Sequence, residues 1–144
     1  MSTAASPRPA DSTLAPVVSG RVAERGDSWV SLKIPGGSYV PKLVLEVDLD
    51  AQPGDKITGT LHAVARRIDK IKAGGRFLAP VAGRPRRVQG VVVGGHVKSG
   101  LLYVSAGVPF VCILSDERQH VSDFEIGQMV SFDVEPGTVF KPAR

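Results

Sequence analysis

Glycine and proline recur along this chain too often for long helices to fit between them. The sequence has 16 Gly and 11 Pro among 144 residues, about a fifth, against roughly an eighth in average proteins. Breakers at that density favour short strands joined by turns. Hydrophobic residues make up 42%, close to the globular norm, which argues against wholesale disorder. The length suits one domain, or two very small ones sharing a core. The single cysteine, Cys112, excludes an internal disulfide framework.

Alternation of apolar and polar residues marks the strands. In 17–24, Val18, Gly20 and Val22 share one face; in 29–34, Val30, Leu32 and Ile34 oppose Trp29, Ser31 and Lys33. Residues 39–48 read as extended, although Pro41 favours an edge or a bulge. A further strand starts at Lys56, and 86–93, 101–106, 109–114 and 128–135 repeat the plan. The halves superpose by sequence: Val18-x-Gly20-x-Val22 on Val88-x-Gly90-x-Val92, Leu32 on Val104, and Gly54-x-x-Ile57 on Gly127-x-x-Val130. Residues 61–72 are ambiguous. Leu61, Val64, Ala65, Ile68 and Ile71 have helical spacing, while the match between halves makes the start of this segment a strand. A strand followed by a short helix near 61–72 is the expectation, with Ala73-Gly74-Gly75 as a turn.

Residues 125–137, Glu125-Ile126-Gly127-Gln128-Met129-Val130-Ser131-Phe132-Asp133-Val134-Glu135-Pro136-Gly137, resemble the closing strand of cold-shock domains, roughly E-G-Q-x-V-x-F-x-V-x-x-G. They also resemble that of S1-type RNA-binding modules. Both families share the OB-fold, a five-stranded barrel that binds oligonucleotides. The resemblance implies the barrel and transfers no binding site, because the cold-shock motifs K-G-x-G-F-I and V-F-V-H are absent.

The expected fold is therefore all-β: two tandem OB-like barrels, 17–72 and 88–144, joined by a basic connector, 73–87. The alternative is one larger barrel or sandwich in which the halves exchange strands. Residues 1–16, rich in Ala, Ser, Thr and Pro, read as a disordered tail without the apolar core of a signal peptide. No stretch approaches the roughly 20 apolar residues of a membrane span, so a cytoplasmic protein with no membrane association is expected.

The formal charge of +4 hides one concentrated segment. Arg66, Arg67, Lys70, Lys72, Arg76, Arg84, Arg86 and Arg87 face only Asp69 within 66–87, a net +7 between flanks of −1 and −2. Phosphate backbones select such clusters through counterion release, and Arg can clamp phosphate and stack on bases. The same charges can serve solubility or pair with carboxylates of a partner subunit. Trp29 and Lys33, with Arg21 from the neighbouring strand, form a stacking platform beside cations of the kind single strands use; alternatively Trp29 covers a barrel end. Tyr103 is the expected outward aromatic of the second half.

Other constellations carry little. His62, His96 and His120 have no partner at metal-ligand spacing. Cys112 lies in an apolar run, as inert buried thiols do. The carboxylates at 48–55 and 116–125 sit in solvated loops, and Gly36-Gly37 and Gly94-Gly95 lack a phosphate-loop context. No cofactor or metal is expected. The expected function is non-catalytic binding of single-stranded DNA or RNA. The alternative is a structural protein that self-associates or pairs with another protein, and an enzyme ranks third.

Overall fold

The computed structural model describes residues 9–11 and 14–143. Its strands are β1 (Val18–Arg25), β2 (Trp29–Lys33), β3 (Val40–Val44), β4 (Lys56–Ala65), β5 (Asp69–Ile71), β6 (Phe77–Ala79), β7 (Ala82–Gly83), β8 (Arg87–His96), β9 (Leu101–Ser105), β10 (Pro109–Leu114), β11 (Met129–Asp133) and β12 (Val139–Pro142). Among the described residues the only helical element is a 3-10 turn, Val121–Asp123. Among the described residues no helix is long and apolar enough to cross a membrane.

Five strands close a barrel. β1 pairs antiparallel with β2, β2 with β3, β12 with β4, and β4 with β1, while β3 and β12 run parallel. This order is consistent with an OB-like barrel. The strand beside β3 comes from the far end of the chain. Phe140 of β12 lies opposite Leu61 of β4, and both are fully buried.

Several pairings of the second half match those of the first. Val22 opposes Leu32 and Val92 opposes Val104, each followed by a register shift. Gly20 opposes Ile57, and Gly90 opposes Val130. The amide of Val22 donates to Asp55 and that of Val92 to Gln128, both at 2.9 Å; the amides of Gly54 and Gly127 return to Val22 and Val92, both at 2.8 Å. The glycines matched in sequence share one steric reason: a Cβ at Gly20 would stand 2.7 Å from the Lys33 carbonyl oxygen, and one at Gly90 2.2 Å from that of Ser105.

Strands also cross between the halves. The end of β4 runs parallel to β10, Val111 opposite His62 through Leu114 opposite Ala65. Past a break at 66–68, β5 pairs antiparallel with β11. The stretch 61–71 is thus extended, and the expected short helix does not form. Leu61, Ala63 and Ala65 are fully buried while His62 and Val64 are half-buried, a period of two. β4 has strand partners on both sides, which supplies its backbone groups with the hydrogen bonds a helix would otherwise give them. The Gly74-Gly75 region leads into β6, which pairs with β8 rather than folding back on β4.

The core is one continuous cluster drawn from both halves, including Val30, Leu32, Leu43 and Leu61 with Val92, Val104, Phe110 and Phe132. Ala10, inside the stretch read as a tail, belongs to that cluster and is 1% exposed. Residues 1–8, 12 and 13 of the same stretch lie outside the described residues.

Candidate nucleic-acid interface

The basic segment is built into the sheet rather than hung between the halves. β7 pairs parallel with β3, Val40 opposite Ala82 and Pro41 opposite Gly83, and the Val40 amide donates to the Val81 carbonyl at 2.8 Å. Pro85 is buried. The Arg86 amide donates to Ala79, and the Val134 amide donates to the Arg86 carbonyl. The backbone of 84–86 is fixed by these contacts, while the side chains of Arg84 and Arg86 project into solvent.

Those two side chains line an open cleft of about 710 Å³ with Arg66, Pro80, Pro85, Asp133, Val134 and Pro136. Arg66 reaches the cleft because its amide donates to the Asp133 carbonyl at 2.9 Å. Its guanidinium is clamped by both carboxylate oxygens of Glu135, at 3.1 and 3.0 Å. That bidentate bond holds the charged form and raises the Arg66 pKa further above its ordinary value. Arg84 and Arg86 form no ion pair among the described residues.

Arg84 also lines a smaller pocket of about 160 Å³, with Ser28, Trp29, Lys42, Leu43, Val44 and Gly137. This pocket lies at the edge of β3. β7 covers that edge at Val40 and Pro41, and β12 covers it at Val44; Lys42 and Leu43 fall between. The half-buried Trp29 stands here, with the Lys42 ammonium 4.3 Å from the ring centroid, a cation–π contact. The opposite constraint is Gly26: a Cβ there would fall 2.1 Å from Trp29 Nε1, so the indole rests against bare backbone. A base stacking on the Lys42 side needs that ammonium to swing aside, which frees it for phosphate.

The remaining expected residues divide. Lys33 and Arg21 are exposed cross-strand neighbours of β2 and β1, and the Arg21 guanidinium donates to the Gly54 carbonyl at 3.0 Å. Neither lines the cleft or the pocket. Arg67 pairs with Asp69 at 3.6 Å. Arg87 donates to Asp133 at 2.7 Å and to Ser131 Oγ at 2.8 Å. Lys70 lies 5.4 Å from the Phe124 ring centroid. Lys72 and Arg76 are exposed and form no ion pair among the described residues. Tyr103 is corrected: it is 4% exposed, not outward. By strand register it corresponds to Ser31, and Trp29 corresponds to Leu101, because Leu32 opposes Val22 as Val104 opposes Val92.

Lys42 is the residue that sequence reasoning missed. It sits diagonally across the hairpin from Trp29, whose direct partner is Val44, within reach of a long side chain. Counting the register through the 35–38 turn would have found it.

Among the described residues no group of His, Cys, Asp or Glu could hold a metal ion. The Cys112 thiol is fully buried, and its pKa is pushed far above the ordinary value by desolvation, so it is no nucleophile. No family model, curated protein or solved structure matches the chain.

Proposed function

We propose that this protein is a tandem of two OB-like barrels exchanging their fifth strands, and that the face around Arg84 and Trp29 binds single-stranded DNA or RNA without catalysis. The observation that carries the binding reading is the position of Arg84. It lines both the cleft that holds Arg66 and Arg86 and the pocket that holds Trp29 and Lys42. A strand laid along this path meets guanidinium groups for its phosphates and an indole for one base, the pairing that sequence-tolerant single-strand binders use.

The test is binding of random-sequence single-stranded DNA and RNA across a range of salt. The double variant Arg84→Gln/Arg86→Gln should weaken binding to all sequences alike and reduce the log–log salt slope by about 1.4, roughly 0.7 per lost contact. No binding by the wild type at low salt overturns the reading.

One observation favours the interaction-protein alternative. Arg66, Arg67 and Arg87 already pair with carboxylates of this chain, so part of the basic segment serves internal cohesion. Under that reading the double variant changes the sedimentation mass and leaves nucleic-acid affinity unaltered.

A further inference from the structure

The two halves solve one local problem in different ways. In the first half, Nη1 of Arg25 donates to the carbonyl oxygens of Leu49 and of Ala51, the latter at 2.9 Å. This ties the end of β1 to the loop that leads into β4. The second half has the same loop. The Asp55 amide donates to Gln52 at 3.0 Å and the Gln128 amide to Glu125 at 3.1 Å, so Ala51 corresponds to Phe124. Arg25, opposite Val30, corresponds to Gly95, opposite Leu102. At the position of the tying arginine the second half has no side chain.

Main chain from residues 9–11 takes its place. The Ala10 amide donates to the Phe124 carbonyl at 3.4 Å, the counterpart of the carbonyl that Arg25 caps. Pro9 bridges antiparallel to Glu125. Asp11 Oδ1 accepts the Val97 amide at 3.0 Å. A Cβ on Gly95 would stand 2.5 Å from the Ala10 carbonyl oxygen and 3.0 Å from Val121. The segment, together with the Leu101 carbonyl oxygen at 2.7 Å, thus fills the volume that a side chain at position 95 would need.

We infer that the groove over Gly95, bounded by Val121 and Phe124, is a peptide-acceptor site for an extended segment carrying a small residue followed by a carboxylate, and that its occupant is residues 9–11 of the same chain. The small residue is required because Ala10 is 1% exposed and a larger side chain has no room. The carboxylate is required because it takes up the Val97 amide. An extended backbone is required because the Ala10 N–H supplies the bond that the guanidinium supplies in the first half. Since β1 begins at Val18, the segment also straps the start of the first half to the second.

The test is amide exchange at Val97, read by NMR in the full chain. Ala10→Trp should overfill the groove and speed Val97 exchange by about tenfold or more. Asp11→Ala, which removes only the acceptor, should act in the same direction without burdening the fold. A synthetic peptide spanning residues 6–14, in large molar excess, should restore protection in Ala10→Trp, and the same peptide with Trp at the Ala10 position should not. Equal exchange in wild type and both variants overturns the site. Equal rescue by the two peptides overturns the recognition of a small residue. Protection that fades on dilution, with a mass that rises with concentration, places a second copy's segment in the groove and overturns the assignment to the same chain.

Discussion

The first and second halves share much of their strand register and their close glycine contacts, yet they differ in how completely their strands are paired. The difference lies along the third strand of each. β3 is covered by β7 at one end and β12 at the other, which leaves Lys42 and Leu43 lining a pocket beside Trp29. β10, its counterpart, is paired with β4 through four consecutive residues. There the buried Val111 stands for the half-buried Lys42, whereas Tyr103 and its counterpart Ser31 are both buried. Two copies of one pairing pattern thus diverge through the length of a neighbouring strand. Continuous pairing closes the edge of the strand, and a gap in the pairing leaves a pocket beside it.

The largest expected effect tests whether the first half depends on the far end of the chain. Phe140 of β12 is fully buried opposite Leu61. Phe140→Ala should cost about 3–5 kcal/mol in urea unfolding. A cost of a few tenths would mean that β12 is a peripheral appendage and would break the comparison at its root. The equivalence of the halves is tested next by Gly20→Ala and Gly90→Ala. Both should destabilise by about 1–3 kcal/mol through overpacking. Gly90→Ala should be the worse, since its Cβ meets the Ser105 carbonyl at 2.2 Å whereas that of Gly20 meets Lys33 at 2.7 Å. Tolerance of either substitution would show that the two sites are not structural counterparts.

Much of this scaffold was legible because period-two alternation reports which face is buried. Val18, Val22 and Leu32 are buried, as are Val88, Val92 and Val104, whereas Ile57 is half-buried and its match Val130 fully buried. The pairing of β4 with β10 was not legible from alternation, because it is set by contacts about 50 residues away, as between His62 and Val111. Residues 61–71 misled because Leu61, Ala65 and Ile68, all buried, satisfy a helical period and are also the buried residues of an interrupted strand. Tyr103 misled because Leu101–Ser105 has apolar residues on both faces, so alternation does not give its register. Of the site, the basic segment was visible in the charge, but its junction with Trp29 depends on the β3–β7 pairing and on Lys42. Ala10 was invisible for a different reason: its burial depends on the missing side chain of Gly95, not on its own composition.

The contrast between interfaces is sharpened by Trp29→Ala against Leu101→Ala. If single strands stack on the first half, Trp29→Ala should weaken binding by about 1–3 kcal/mol. The salt slope should stay nearly unchanged, since stacking releases no counterions. Leu101→Ala, at the corresponding position, should leave affinity as it is. Equal losses in titrations monitored by fluorescence anisotropy would mean that both halves bind, or that both substitutions act through stability.

The smallest expected effect lies where the halves meet. His62 stands in β4 opposite Val111 of β10 and Val139 of β12, with its Nε2 2.7 Å from Thr60 Oγ1. Burial, and then the charge of Lys141, lower its pKa from the ordinary 6.5, while Glu46 opposes them. The imidazolium is therefore less favourable in the folded protein than in the unfolded chain. Above pH 6.5 both states hold a neutral ring and the stability is intact. As the pH falls below 6.5 the unfolded chain takes up a proton first, and folding stability declines until the folded ring is protonated as well. Urea midpoints measured downward from pH 8 should show this decline in the wild type and a shallower one in His62→Gln. Lys141→Gln should recover only the smaller part of the difference, because burial remains. Identical profiles for wild type and His62→Gln would show that the junction between β4, β10 and β12 admits the charged ring freely, and is more open to water than the rest of the two halves.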